Sequence, residues 1–187
     1  MISNKEKFIF IHTPKCGGGS IRQILNQNFG RKDEYPYKDS ITHHWSISQF
    51  IEKDKKLLSY YKVGVIRNPW DRAVSWFYHC KARHNVKVAF KDFVLNEDLF
   101  NFNDFASNKL IYNGKNIMDL VIKTEDIEDD FSVFAKRFNI TNYNIPRNRH
   151  MTQRALNSDY RSFYDEETKN LIAKRFDWDI KTFGYKF

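Results

Sequence analysis

The chain has 187 residues, 41% of them hydrophobic, 29% charged and 17% aromatic, which suits a single soluble globular domain over residues 1–187 and excludes wholesale disorder. No run reaches the ~18 apolar residues of a membrane span, and the apolar stretch 8–11 is shorter than the roughly 7–15 residues of a signal-peptide core, so a cytoplasmic location is expected. Thirty-one basic against 23 acidic residues leave +8, which favours an anionic partner, while two cysteines, Cys16 and Cys80, exclude a disulfide framework and a four-cysteine zinc site.

Residues 8–12 are a short continuous apolar run and predict a buried strand. Residues 14–19 read as a loop, and Ser20 opens a helix with Ile21, Ile24, Leu25 and Asn28 at helical spacing. Residues 30–44 look irregular, and 46–58 predict a helix. A second strand is expected over 62–66. Pro69 suits the first turn of a helix that carries Ala73, Val74, Phe77 and Tyr78. Residues 84–105 follow no clear period. A third strand is expected over 120–123 and a helix over 126–138. A polar, basic loop follows over 139–157, then a last helix over 166–176 and an aromatic end. Strands alternating with helices predict an α/β fold: a central parallel sheet flanked by helices.

The glycines are few, and three are consecutive: Gly17, Gly18 and Gly19. They sit between the first strand and the first helix, behind Lys15 and Cys16 and before Ser20. Bare glycines let backbone N–H groups turn inward around an anion, and a helix N-terminus adds orphan donors and partial positive charge. Lys15 contributes a full charge and Ser20 a hydroxyl. A glycine-rich turn that merely caps a helix is the plainer reading. The pattern is not a Walker A loop, where lysine stands immediately before the hydroxyl residue. Asp119 and Glu125 flank the third strand without a Walker B pattern, so no metal is expected.

The second signal runs from Val63 through Arg67, Asn68, Pro69, Trp70, Asp71 and Arg72 to Ser75. Arg67 stands at a strand's carboxyl end, where open α/β sheets bind ligands. Arg67 and Ser75 are candidates to share one phosphate, with Asp71 and Arg72 as a local pair. Together the two segments resemble those of the PAPS-dependent sulfotransferases, most closely the glycan-type branch with a Pro-Lys-x-Gly-Gly-x-Ser loop and an Arg-Asn-Pro-x-x-Arg-x-x-Ser segment. That resemblance implies a P-loop-like sulfotransferase fold and the donor 3′-phosphoadenosine 5′-phosphosulfate (PAPS), with PAP as product and no metal. It implies that Lys15, Cys16, Gly17, Gly18, Gly19 and Ser20 cradle the 5′ end, and that Arg67 and Ser75 clamp the 3′-phosphate. The segments 121–127, 160–168 and 179–187 are similar to later parts of the family, while 84–118 and 139–157 match poorly.

Sulfuryl transfer needs a base for the acceptor's proton and charge stabilisation at the leaving phosphate. Of six histidines, His44, in the segment His44-Trp-Ser-Ile-Ser-Gln-Phe50, best matches the family's His-x-Ser pattern. His43 is the alternative, and capping the helix or packing on Trp45 is the structural reading of the pair. His12 is expected to shape the loop. His79, Cys80 and His84 lack a fourth ligand for a metal. Arg147, Arg149, His150 and Arg154 form a basic loop that either meets an anion or is simply solvated. The implied partner is a hydroxyl-bearing acceptor, a carbohydrate for the branch the motifs are closest to, and not nucleic acid. Two rival readings stay open: a nucleotide kinase or NTPase using the glycine loop, and a non-catalytic polyanion binder driven by charge.

Overall fold

The computed structural model describes residues 1–30, 45–100, 106–146 and 159–187. They group into two compact units, one drawn from Met1–Ile66 and Ala106–Arg149, the other from Arg67–Phe105 and His150–Phe187.

The first unit is built on a four-stranded sheet of β1 (Ile2–Ser3), β2 (Phe8–Ile11), β3 (Tyr61–Ile66) and β6 (Leu120–Lys123), in that spatial order. β2, β3 and β6 run parallel, and the short β1 lies antiparallel on the edge. Side chains alternate between faces along a strand. Phe8, Phe10, Val63, Val65 and Ile122 therefore share one face, where they join Ile21, Ile24 and Leu25 of α1 (Gly18–Phe29) and Phe131 and Phe134 of α6 (Ile127–Arg137) in one buried cluster. The other face carries Ile9, Ile11 and Gly64, all buried. Gly64 leaves room for a helix: a Cβ there would stand 2.5 Å from Leu110 of α5 (Ala106–Leu110). The predicted parallel sheet with helices on both sides is thus observed.

The strands at 8–12, 62–66 and 120–123 and the helices behind 20, 69, 126 and 166 form where the sequence places them, within a residue or two. The expected helix 46–58 stops early. α2 (Ile47–Lys53) ends because Asp54 is extended and its carboxylate accepts from the Lys56 N–H at 3.0 Å, starting a separate 3-10 turn over Lys55–Ser59. A short acidic side chain that captures the backbone two residues on competes with helix continuation. Asn113 and Gly114, with φ of 49° and 75°, turn a small hairpin of β4 (Ile111–Tyr112) and β5 (Lys115–Asn116). Both central residues at positive φ are the requirement of a type I′ turn.

The second unit centres on α3 (Pro69–His84). Its N-cap is Asn68, whose side-chain oxygen accepts from the Trp70 N–H at 3.1 Å, with Pro69 in the first turn. The stretch without clear period contains α4 (Phe90–Leu95), which buries Phe90, Phe93 and Val94 beside Phe77. The last predicted helix is α7 (Glu166–Arg175), and a further helix, α8 (Asp177–Phe183), follows it in the stretch expected to be only an aromatic end. Aromatic rings close this unit edge to face, with Phe187 against Trp70 at 5.5 Å and against Tyr164 at 5.5 Å. Such pairs add to burial because ring edges are positive and faces negative. No helix among the described residues is long and apolar enough to cross a membrane.

Candidate active site

In the first unit β2 ends at Ile11 and α1 begins at Gly18. Between them Lys15 and Gly17 both adopt left-handed backbone, with φ of 65° and 73°. Gly17 is the N-cap of α1, no side chain caps that end, and its first turn carries no acid. The Ser20 N–H donates to the Gly17 carbonyl at 3.0 Å across this turn, and no carboxylate of the turn opposes the positive end of the helix.

The three glycines are not equivalent. A Cβ on Gly18 would lie 2.5 Å from His12 Nδ1, and one on Gly17 would lie 3.3 Å from Ile127 Cδ1. A Cβ on Gly19 would meet nothing within 4 Å. The glycine demand is therefore at 17 and 18, and the His12 ring shapes the loop by filling the space that Gly18 leaves.

Ser20 is buried, and its hydroxyl donates to the Pro146 carbonyl at 2.7 Å. The Cys16 thiol is fully buried in the core, donating to the Pro14 carbonyl at 3.5 Å, so this residue faces the loop only through its backbone. A cavity of about 440 Å³ opens beside the loop, lined by Gly17, Ser20, Thr124, Glu125, Asp126 and Pro146 among others. Asp119 stands at the opposite end of the sheet, where it accepts from the Lys62 N–H and pairs with the Lys62 ammonium at 3.2 Å. Glu125, at the other end of β6, borders the cavity.

In the second unit Arg67 is half-buried and held by Asp71: Nε donates to Asp71 Oδ2 at 2.7 Å and Nη2 reaches the same oxygen at 2.6 Å. The expected pairing of Asp71 with Arg72 is corrected in favour of Arg67, because residues four apart on a helical turn are neighbours and adjacent ones are not. Arg72 is 2% exposed, and its guanidinium lies 6.0 Å from the Phe176 ring centre. Ser75 is half-buried, within the buried stretch of α3. Beside Asn68, burial pushes the Tyr160 phenol above its ordinary value, against the lowering effect of Arg161.

His43 and His44 lie outside the described residues, as do Arg147, Arg149, His150 and Arg154. Two residues beyond His44, Ser46 caps α2 in a capping box with Gln49, and Trp45 packs on Phe50 at 5.3 Å as a hydrophobic staple. Ser46 therefore supplies the side-chain cap of that helix. His79 stacks on Trp76 at 5.2 Å, and among the described residues no group of three or more His, Cys, Asp or Glu is placed to hold a metal.

Thr124 is the residue that sequence reasoning missed. Its hydroxyl lies 2.9 Å from the Cys16 carbonyl and 2.7 Å from the Ile66 carbonyl. The only signal for it was position, directly after the third strand.

A parallel sheet with a strand, a left-handed glycine turn and an uncapped helix at its carboxyl edge defines an α/β protein of the phosphate-loop type. The sequence profile described as the Sulfotransferase family matches residues 1–186, and the chain belongs to that family. No curated protein and no solved structure matches it.

Proposed function

We propose that this sulfotransferase takes its sulfuryl group from PAPS and transfers it to a hydroxyl of a carbohydrate. The observation that carries the donor reading is the Lys15–Ser20 loop: two left-handed residues, a glycine at 18 with no room for a Cβ, and an acid-free helix start without a side-chain cap. That combination suits a polyanionic group, and the residues present fit a 5′-phosphosulfate. Lys15 and the loop amides would hold it, with the adjoining cavity of about 440 Å³ offering room for an adenosine. Arg67 and Ser75 would hold the 3′-phosphate.

PAPS supplies an activated sulfuryl group whose leaving group is a phosphate. The chain's part is to orient that group and meet the charge. Lys15 neutralises negative charge on the 5′-phosphate oxygen as its bond to sulfur breaks, and fixed loop dipoles do so without reorganising. His44, with His43 as the alternative, accepts the proton from the acceptor hydroxyl as oxygen bonds to sulfur; histidine titrates in the required range. The products are a sulfate ester and PAP. A cytoplasmic, reducing setting goes with this reading and is supported by two buried cysteines that form no disulfide.

Thermal unfolding with PAP, and separately with magnesium–ATP, tests the donor. At ~100 Kd a ligand adds roughly 2.7 kcal/mol, a Tm rise of several degrees at this size. A rise with PAP alone is expected; a rise with magnesium–ATP alone would replace the reading with a kinase. Lys15→Ala and His44→Ala are expected to abolish transfer from PAPS. Normal turnover in His44→Ala would remove that residue from the mechanism.

A further inference from the structure

An anion-binding loop works only if its peptide planes are turned so that N–H groups, not carbonyls, face the ligand. The Cys16–Gly17 peptide can be turned the wrong way. It leads into a glycine at positive φ, and a glycine tolerates either orientation of the plane before it. Because the peptide is planar and trans, its C=O and N–H point in opposite directions, and fixing one fixes the other.

Thr124 fixes the carbonyl. Its Oγ1 stands 2.9 Å from the Cys16 oxygen and 2.7 Å from the Ile66 oxygen. One hydroxyl has one proton for two acceptors. The Ile66 oxygen already accepts from the Thr124 backbone N–H at 2.9 Å, so the hydroxyl proton can serve Cys16 without leaving Ile66 unsatisfied. Thr124 is itself held where β6 ends, by the same backbone bond to the end of β3.

We propose that Thr124 is a positioning residue of the donor site: it anchors the Cys16 carbonyl and so points the Gly17 N–H into the cradle. It touches the loop rather than the reacting atoms. The consequence for donor binding rests on the PAPS reading above; the peptide-plane claim does not.

The test compares Thr124→Val, which keeps the shape and loses the hydroxyl, with Thr124→Ser, which keeps the hydroxyl and loses the methyl. PAP affinity is measured by calorimetry, and the Gly17 amide resonance by ¹H–¹⁵N NMR. Thr124→Val is expected to weaken PAP about tenfold, the scale of one hydrogen bond, and to raise the KM for PAPS more than it lowers kcat. The Gly17 resonance should move in the ligand-free protein, with Thr124→Ser close to wild type in all three. Equal PAP affinity in wild type and Thr124→Val would overturn the inference, as would Thr124→Ser failing as badly as Thr124→Val. If wild type itself does not bind PAP, the donor reading falls. The orientation claim is then decided on the Gly17 resonance alone, and an unmoved signal in Thr124→Val overturns it.

Discussion

The loop before α1 and the turn before α3 follow the same local plan, a strand end running into a helix, yet they equip that plan differently. Before α1 the N-cap is a glycine with no capping side chain and no acid in the first turn. Before α3 the cap is Asn68, whose side chain bonds the Trp70 N–H, and the first turn contains Asp71, already paired with Arg67. The first arrangement presents backbone dipoles in a shape set by packing around glycines. The second presents a side-chain cation whose charge is balanced within the unit. An anion reaching the loop meets a helix start with no carboxylate in its first turn, whereas one reaching Arg67 must exchange places with a carboxylate. The first should therefore fail by steric change and the second by charge change.

The largest expected effect is steric. Gly18→Ala places a Cβ 2.5 Å from His12 Nδ1, with two further ring atoms within 3.1 Å. Overpacking of this kind costs about 1–3 kcal/mol, and at ~2–4 °C per kcal/mol the Tm should fall by about 5 °C or more. The stabilisation by PAP should be lost with it. Gly19→Ala is the internal control: its Cβ meets nothing within 4 Å, so Tm should hold or rise slightly, as alanine is the better helix residue by roughly 0.5–1 kcal/mol. Equal behaviour of the two variants, followed by thermal unfolding with and without PAP, would break the contrast.

The charge arm comes second. Arg67→Ala should weaken PAP by about 10- to 100-fold, the range for losing hydrogen bonds to a charged group. Asp71→Asn should act in the opposite direction and tighten PAP a few-fold, because a neutral amide competes less well than a carboxylate for the guanidinium. Calorimetric titration of both variants decides it. Weaker binding in Asp71→Asn would mean the carboxylate orients Arg67 rather than competing for it.

Much of this contrast was legible in the sequence. The strand at 8–12 reads as buried because residues 8–11 are all apolar, and both motifs stand out because glycine and proline are otherwise scarce. The Arg67–Asp71 pair was legible too, from a spacing of four, but adjacency in the sequence pointed to Arg72 instead. Three things were hidden. α4 has six residues, too few for helical period to declare itself, and Phe90 is packed by rings distant in sequence, those of Phe163 and Tyr164. The Asn113–Gly114 turn has a known hairpin signature, but its two-residue strands lack any alternation. Thr124 works through the carbonyls of Cys16 and Ile66, 108 and 58 residues away in sequence, and no local pattern encodes such a contact.

The smallest effect is electrostatic and lies away from both motifs, which makes it a measure of what surface charge alone contributes. In the second unit Lys91 hydrogen-bonds Asp165 at 2.7 Å and pairs with Glu167 at 2.7 Å, while Asp165 caps α7 through the Thr168 N–H at 2.9 Å. The Lys91 ammonium first, and the Thr168 amide second, hold the Asp165 carboxyl well below the ordinary value of 3.8. A depressed folded pKa means stability that is present above about pH 4 and is lost as pH falls through the folded value. The side chains of Lys91 and Asp165 are 48% and 46% exposed, so solvent screens the pair and its contribution is small. Lys91→Met should therefore lower Tm slightly at pH 7, and the gap to wild type should narrow as pH falls below 4 and as salt is raised. A gap that stays constant from pH 7 to pH 2 would show that Lys91 acts by packing its alkyl stem rather than by charge. The charge contrast drawn for Arg67 would then need the same salt control before its loss is assigned to electrostatics.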